Sequence, residues 1–275
     1  MKKFNKIVLI TALVLVVLGN IMYWGVKLYR YIRSDELNKD VRNMEYEIDA
    51  NIRGIRIEAE AAKVVVHNSG SVESYYVSAP NPIRCILENV DSQRSDVYVE
   101  EGILNIKARN IENMEILGWN IGDGVDPEND AKVELWLPGA EYESFMTEIG
   151  AGSFDADGAI DPERFVLQVG VGTVDIVSLT GVNDGVIQVG TGDVKIRYFE
   201  NIDNMRIKSG AGNIEVKMAA PVTDYDVSVK NTLGQNSIFG DSCFDINNEI
   251  IKRGTGEKQL KIETVSGIVT VDTVN

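Results

Sequence analysis

The sequence predicts an all-β chain built as a β-solenoid, a parallel β-helix-like stack of 20-residue turns, preceded by an N-terminal transmembrane helix. Three observations predict it: a glycine pair that returns every 20 residues, short runs in which apolar and polar residues alternate, and one nearly unbroken apolar stretch close to the N-terminus.

The apolar stretch comes first. Residues 7 to 26 read IVLITALVLVVLGNIMYWGV, interrupted by Asn20 and small residues and bracketed by Lys6 and Lys27. About 20 such residues cross a bilayer core. Tyr23 and Trp24 suit an interfacial anchor, and no small-residue cleavage site follows Leu18, which favours a retained signal anchor over a cleaved signal peptide. Residues 1–33 are therefore expected to be a cytoplasmic tail and membrane anchor, residues 34–49 a short helical or flexible stalk, and residues 50–275 an extracytoplasmic domain. The expected location is the cell membrane, crossed once.

Beyond the stalk the chain alternates. Ile52, Ile55 and Ile57, then Val64 to Val66, Tyr75 to Val77, Ile103 to Ile106, and Val133 to Leu137 read as strands separated by turn residues. No amphipathic helical pattern competes with them.

The repeat occupies residues 145–219. Gly150 and Gly152, Gly170 and Gly172, Gly190 and Gly192, and Gly210 and Gly212 stand at a constant 20-residue interval within EIGAGSFDAD, QVGVGTVDIV, QVGTGDVKIR and KSGAGNIEVK. The flanking columns agree. Thr147, Leu167, Ile187 and Ile207 precede the pair; Phe154, Val174, Val194 and Ile214 follow it, and then Ala156, Ile176, Ile196 and Val216. A column of Ala159, Leu179, Phe199 and Ala219 is expected to close each turn. A degenerate copy, ETVSGIVTVD, places Gly267 at the second glycine position. Each unit supplies two short strands meeting at a corner where glycine takes a conformation that a Cβ would forbid. One unit cannot bury its apolar face alone; stacking at strand spacing makes a shared core. Hairpins need no equal lengths, so the constant interval separates this arrangement from an antiparallel sandwich.

The segments IRGIRIEAEAAKVVVHNSG and AKVELWLPGAEYESFMTEIGAGSFDADG, with the repeats that follow, resemble the candidate-adhesin family of β-strand-repeat envelope proteins, the LiaG-like domains. The resemblance covers most of residues 50 to 274. It implies a cell-surface or envelope-stress role and brings no catalytic residue with it. The family's Ser-Gly-Asp or Ser-Gly-Asn turn is approached here only at Lys208-Ser-Gly and Val265-Ser-Gly.

Charge limits the partners. Six of the 27 basic residues and none of the 42 acidic ones fall in residues 1 to 34, which leaves 21 against 42 beyond it, a net of -21. Such a field repels phosphate backbones, so nucleic acid is not an expected partner. A membrane crossed once, an envelope protein and a polysaccharide are.

Candidate chemistry is sparse. His67 is the single histidine, in KVVVHNSG, with no marked partner, and reads as a surface or edge-strand residue. Asp155 and Asp175 share an outward column with Lys195 and Glu215. Stacked turns bring the two aspartates within about one strand spacing, near the ~5 Å of retaining glycosidases, yet the column reads better as a cross-strand charge ladder. The loop IGDGVDPEND offers Asp123, Asp126, Glu128 and Asp130 as candidate ligands for a hard cation, without the spacing of an EF-hand. Cys85 and Cys243 form no CxxC pair, and a disulfide between them is left open. No phosphate-binding loop or H-E-x-x-H appears, and the Gly-x-Gly pairs precede strands rather than helices. The expectation is a non-enzymatic binding or structural module that needs no cofactor. The alternatives are a polysaccharide-active β-helix enzyme and an accessory subunit of an envelope-stress sensor.

Overall fold

The computed structural model describes residues 41–68, 82–110, 115–116, 119–120, 131–139, 141–219 and 221–274. The segments before the repeat form β1 (Val41–Ile48), β2 (Gly54–Asn68), β3 (Ile83–Asp91), β4 (Asp96–Glu100), β5 (Ile103–Ala108), the two-residue strands β6 (Glu115–Ile116) and β7 (Trp119–Asn120), and β8 (Ala131–Leu137). The repeat forms β9 (Tyr142–Ile160), β10 (Pro162–Thr180), β11 (Asp184–Thr191), β12 (Val194–Glu200), β13 (Asn204–Ala211) and β14 (Ile214–Met218). A 3-10 turn, Val222–Asp224, leads into β15 (Tyr225–Ile238), β16 (Asp241–Lys252) and β17 (Lys258–Thr273). β1 occupies the second half of the segment read as a helical or flexible stalk.

Register follows the sequence interval. Val174 pairs with Val194, and Ile176 with Ile196, in parallel. Leu167 pairs with Thr147 on one side and with Ile187 on the other. Ile187 continues to Ile207, and Ile207 to Ile262 of the degenerate copy. These side chains face inward and are buried throughout. Phe145, Phe154 and Phe165 cluster in the interior, with ring centroids 6.0 to 6.5 Å apart. Burying one such ring stabilises the fold by about 1.5–3 kcal/mol, so the three phenylalanines and the aliphatic columns around them hold the rungs together.

The expected solenoid behind a membrane helix needs correction on both counts. The six strands β10, β11, β13, β17, β14 and β12 pair successively, and β12 pairs back to β10, which makes a closed parallel barrel in an all-β chain rather than an open stack. The physical reason lies in the long strands. β10 runs 19 residues through its glycine corner without ending, so it belongs to both halves and the hydrogen-bonded path returns to it. β17 does the same on the far side. Parallel pairing also stops at the ends of the molecule, where β3 with β8, β4 with β5, and β15 with β16 are antiparallel. As for the anchor, among the described residues no helix is long and apolar enough to cross a membrane. The run 7 to 26 lies outside those residues, so the single-pass, signal-anchor placement in a cell membrane is withdrawn.

A smaller correction concerns the closing column. A register shift after Ile176 sets Leu179 opposite Ile160 rather than Ala159, and one after Ile196 sets Phe199 opposite Met218 rather than Ala219. The shift exchanges small residues for large ones at the rim, and Ile160, Leu179, Phe199 and Met218 are all buried.

Candidate functional site: corner, ladder and outer face

The glycines of each pair have different tasks. Gly152, Gly172, Gly192 and Gly212 have φ of +136°, +146°, +137° and +141°, whereas Gly150, Gly170, Gly190 and Gly210 have no positive φ. At Gly170 the constraint is space: a Cβ there would stand 2.3 Å from the Gly150 carbonyl oxygen of the adjacent rung. At Gly172 both constraints act, because its Cβ would lie 1.5 Å from the Gly152 oxygen. Gly267 repeats the second role at φ +145°. Polar side chains seal the same corner. The Asp193 carboxylate accepts from the Asn213 amide N–H at 2.7 Å, and Asn213 Oδ1 accepts from the Ile268 N–H at 3.1 Å.

On the outer face Asp155 pairs in register with Asp175, Asp175 with Lys195, and Lys195 with Glu215. Each carboxylate has its own cation. Lys63 Nζ lies 3.0 Å from Asp155. Arg197 donates twice to Asp175, from Nε at 3.0 Å and Nη2 at 2.5 Å, which raises the guanidinium above its ordinary range, first through the hydrogen bond and then through the charge. Glu215 is shared by Lys195 at 3.4 Å and Lys217 at 3.6 Å. A second ladder runs beside β17, where Glu263 accepts from Lys261 at 2.7 Å and Lys208 at 3.0 Å. Those two hydrogen bonds, Lys261 first, hold the Glu263 carboxyl down at about 2.

His67 has a partner that the sequence did not mark. Its Nδ1 meets the Asp157 carboxylate, its ring stacks on Trp136 with centroids 4.8 Å apart and planes at 23°, and the Arg84 guanidinium covers the indole at 5.1 Å. Arg84 is held in turn by Glu45 at 2.6 Å. The signal lay in the register: β2 pairs with β9 so that Val66 faces Ala156, which brings His67 beside Asp157 across 90 residues of sequence. A carboxylate and an indole fix the ring in place, and the indole is covered by His67 and Arg84.

The remaining candidates divide. Asp123, Asp126, Glu128 and Asp130 lie outside the described residues. Among the described residues no group of three or more His, Cys, Asp or Glu side chains is placed to hold a metal ion. Cys85 is a free thiol, and burial pushes it up to about 12. Grooves open on the described surface. One of about 680 Å³ is lined by Lys195, Arg197 and Lys217, cations of the ladder, together with Asp272. Another of about 430 Å³ is lined by Glu141, Glu143, Asp161 and Glu163, where burial and the nearby Glu141 raise the Asp161 carboxyl. The hydroxyls of Tyr142, Thr147 and Ser209 are buried without hydrogen-bond partners. Burial also pushes Tyr142 up to about 12.

No protein-family model matches the chain, and no curated protein matches it. Solved structures similar to it include a candidate cell adhesion protein from Clostridium sporogenes, at 10% identity over 85% of this chain and 100% of that one with a TM-score of 0.45. A candidate adhesin from Bacteroides fragilis follows at 13% identity, covering 86% and 98%, with a TM-score of 0.40. A candidate lipid binding protein from Parabacteroides distasonis matches at 10% identity over 86% and 98%, with a TM-score of 0.32. At these identities and scores the likenesses describe similarity of chain trace and carry no functional weight.

Proposed function

We propose that this chain is a non-catalytic binding or structural module of the adhesin-like kind, with residues 50–275 as its working domain and an envelope protein or polysaccharide as its partner. The observation that carries this reading is the state of Asp155 and Asp175. A glycosidase pair needs one carboxyl poised as an acid and the other free to attack or to activate water. Here each aspartate is held by its own cation, Lys63 or Arg197, on an exposed face. Charges paired across parallel strands in this way keep a flat surface ordered, which suits recognition by area rather than by an enclosed cleft. The resemblance of the repeat segment to adhesin-like domains supports the same reading.

The test is to immobilise the full chain, pass acidic and neutral polysaccharides and an envelope protein extract over it, and measure both retention and new reducing ends. Retention with no cleavage is the expected result. Cleavage that disappears in the Asp155→Asn/Asp175→Asn variant would overturn the proposal.

A further inference from the structure

The last rungs break the rule that the repeat keeps at its corner. In the regular rungs the first glycine column is side-chain free, and the column after the second glycine is polar: Ser153, Thr173, Asp193 and Asn213. In β17 the same two positions are Val265, opposite Gly210, and Ile268, opposite Asn213. In β15, which pairs with β17, Leu233 stands opposite Ser266. All three large side chains face solvent, at 55%, 51% and 51% exposure. The line of polar corner caps that runs from Asp193 to Asn213 also ends here, because Ile268 receives a cap and has no acceptor to pass on.

Leu233, Val265 and Ile268 thus make an exposed apolar patch near the end of the sheet. Next to the apolar corner lies β16, which among the described residues pairs with β15 alone and so presents a strand edge of 12 residues. An unpaired edge is a template for another strand. Electrostatics favour the same place. The segment 225–258 holds four basic and five acidic residues, a net of -1 out of the chain's -15, so two copies of the acidic protein repel each other little there.

We infer that this end is a self-association surface, where a second copy of the chain adds its β16 antiparallel to the first about a two-fold axis, with the exposed Ile251 on the joined edge and the exposed Leu233 of β15 one strand behind it. A two-fold contact requires a self-complementary surface. β16 supplies one: Lys252 and Asp241, at its two ends, pair with each other within the chain. An antiparallel partner in the centred register sets Asp241 of each copy opposite Lys252 of the other, so the ion pairs exchange across the axis. The same register sets Ser242 opposite Ile251, itself 46% exposed.

The experiment is sedimentation velocity on the full chain between 1 and 100 µM, in a mild non-ionic detergent that keeps the apolar run 7 to 26 from associating. It is repeated on Leu233→Glu/Ile251→Glu and, in a Cys243→Ser background, on Ser242→Cys/Ile251→Cys. The expected results are twice the chain mass at the higher concentrations for the native chain, the single mass throughout for the glutamate variant with an unchanged circular dichroism melt, and a reducible covalent dimer for the cysteine variant. A native chain that stays at single mass at 100 µM overturns the inference. So does a dimer that survives the glutamate substitutions, or a cysteine variant that forms no covalent dimer.

Discussion

Gly172 combines a φ of +146° with a carbonyl oxygen 1.5 Å from where its Cβ would stand, so a methyl group there meets both a forbidden backbone region and a fixed neighbour. Gly172→Ala is expected to cost about 3 kcal/mol or more. Gly240 is the control. Its φ is +85° but nothing lies within 4 Å of its Cβ position, so Gly240→Ala should cost about 1–2 kcal/mol, the backbone penalty alone. Urea midpoints that rank the two variants the other way would show that the corner tolerates a side chain. Thr147 predicts a gain. It sits in a column with Leu167 and Ile187, 3% exposed, with its hydroxyl unpartnered. Removing that hydroxyl in Thr147→Val is expected to stabilise the fold by about 1 kcal/mol, read in the same melts. The corner glycines were legible because their interval repeats. The split between them was not, since a Cβ clash with the adjacent rung depends on a distance that no interval encodes.

At the scale of the strand, the ladders stabilise the outer face modestly. Asp175 and Arg197 are bidentate but partly exposed, so Asp175→Asn should cost less than about 1 kcal/mol, and the difference should shrink as salt is raised. Glu263 sets an acid dependence. Its folded pKa is depressed to about 2 from an ordinary 4.5, so its contribution is fully present above about pH 4.5 and is lost as pH falls through about 2. Glu263→Gln should lower stability at neutral pH and flatten its loss across that window, so that the two proteins converge in acid; an identical acid slope in the variant would contradict the assignment. The charge column was readable from Asp155, Asp175, Lys195 and Glu215. Its cations were readable only in part, because Lys63 and Arg197 come from outside it. His67 failed for a related reason: Asp157 and Trp136 reach it through strand neighbours that are distant in sequence.

At the scale of the molecule, the 20-residue interval specified which side chains face inward and which rung lies on which. It did not specify closure. Closure arises because β10 and β17 stay extended through their corners, a continuity that the Gly-x-Gly spacing reads as a break between two short strands. The antiparallel ends were hidden too, since β3, β8, β15 and β16 lie in segments without the repeat.

The central claim is that residues 20 apart are lateral neighbours in parallel strands. A disulfide tests it most directly, because the bond forms only when Cα atoms lie about 4.4–6.8 Å apart. Gln168 and Gln188 are exposed partners in β10 and β11. In a Cys243→Ser background, with the buried Cys85 thiol left silent, Gln168→Cys/Gln188→Cys should oxidise to an intramolecular bond without lowering the melting temperature. The slipped pair Gln168→Cys/Val186→Cys should not. The reverse outcome, a bond in the slipped pair and none in the matched one, would contradict the register and everything built on it.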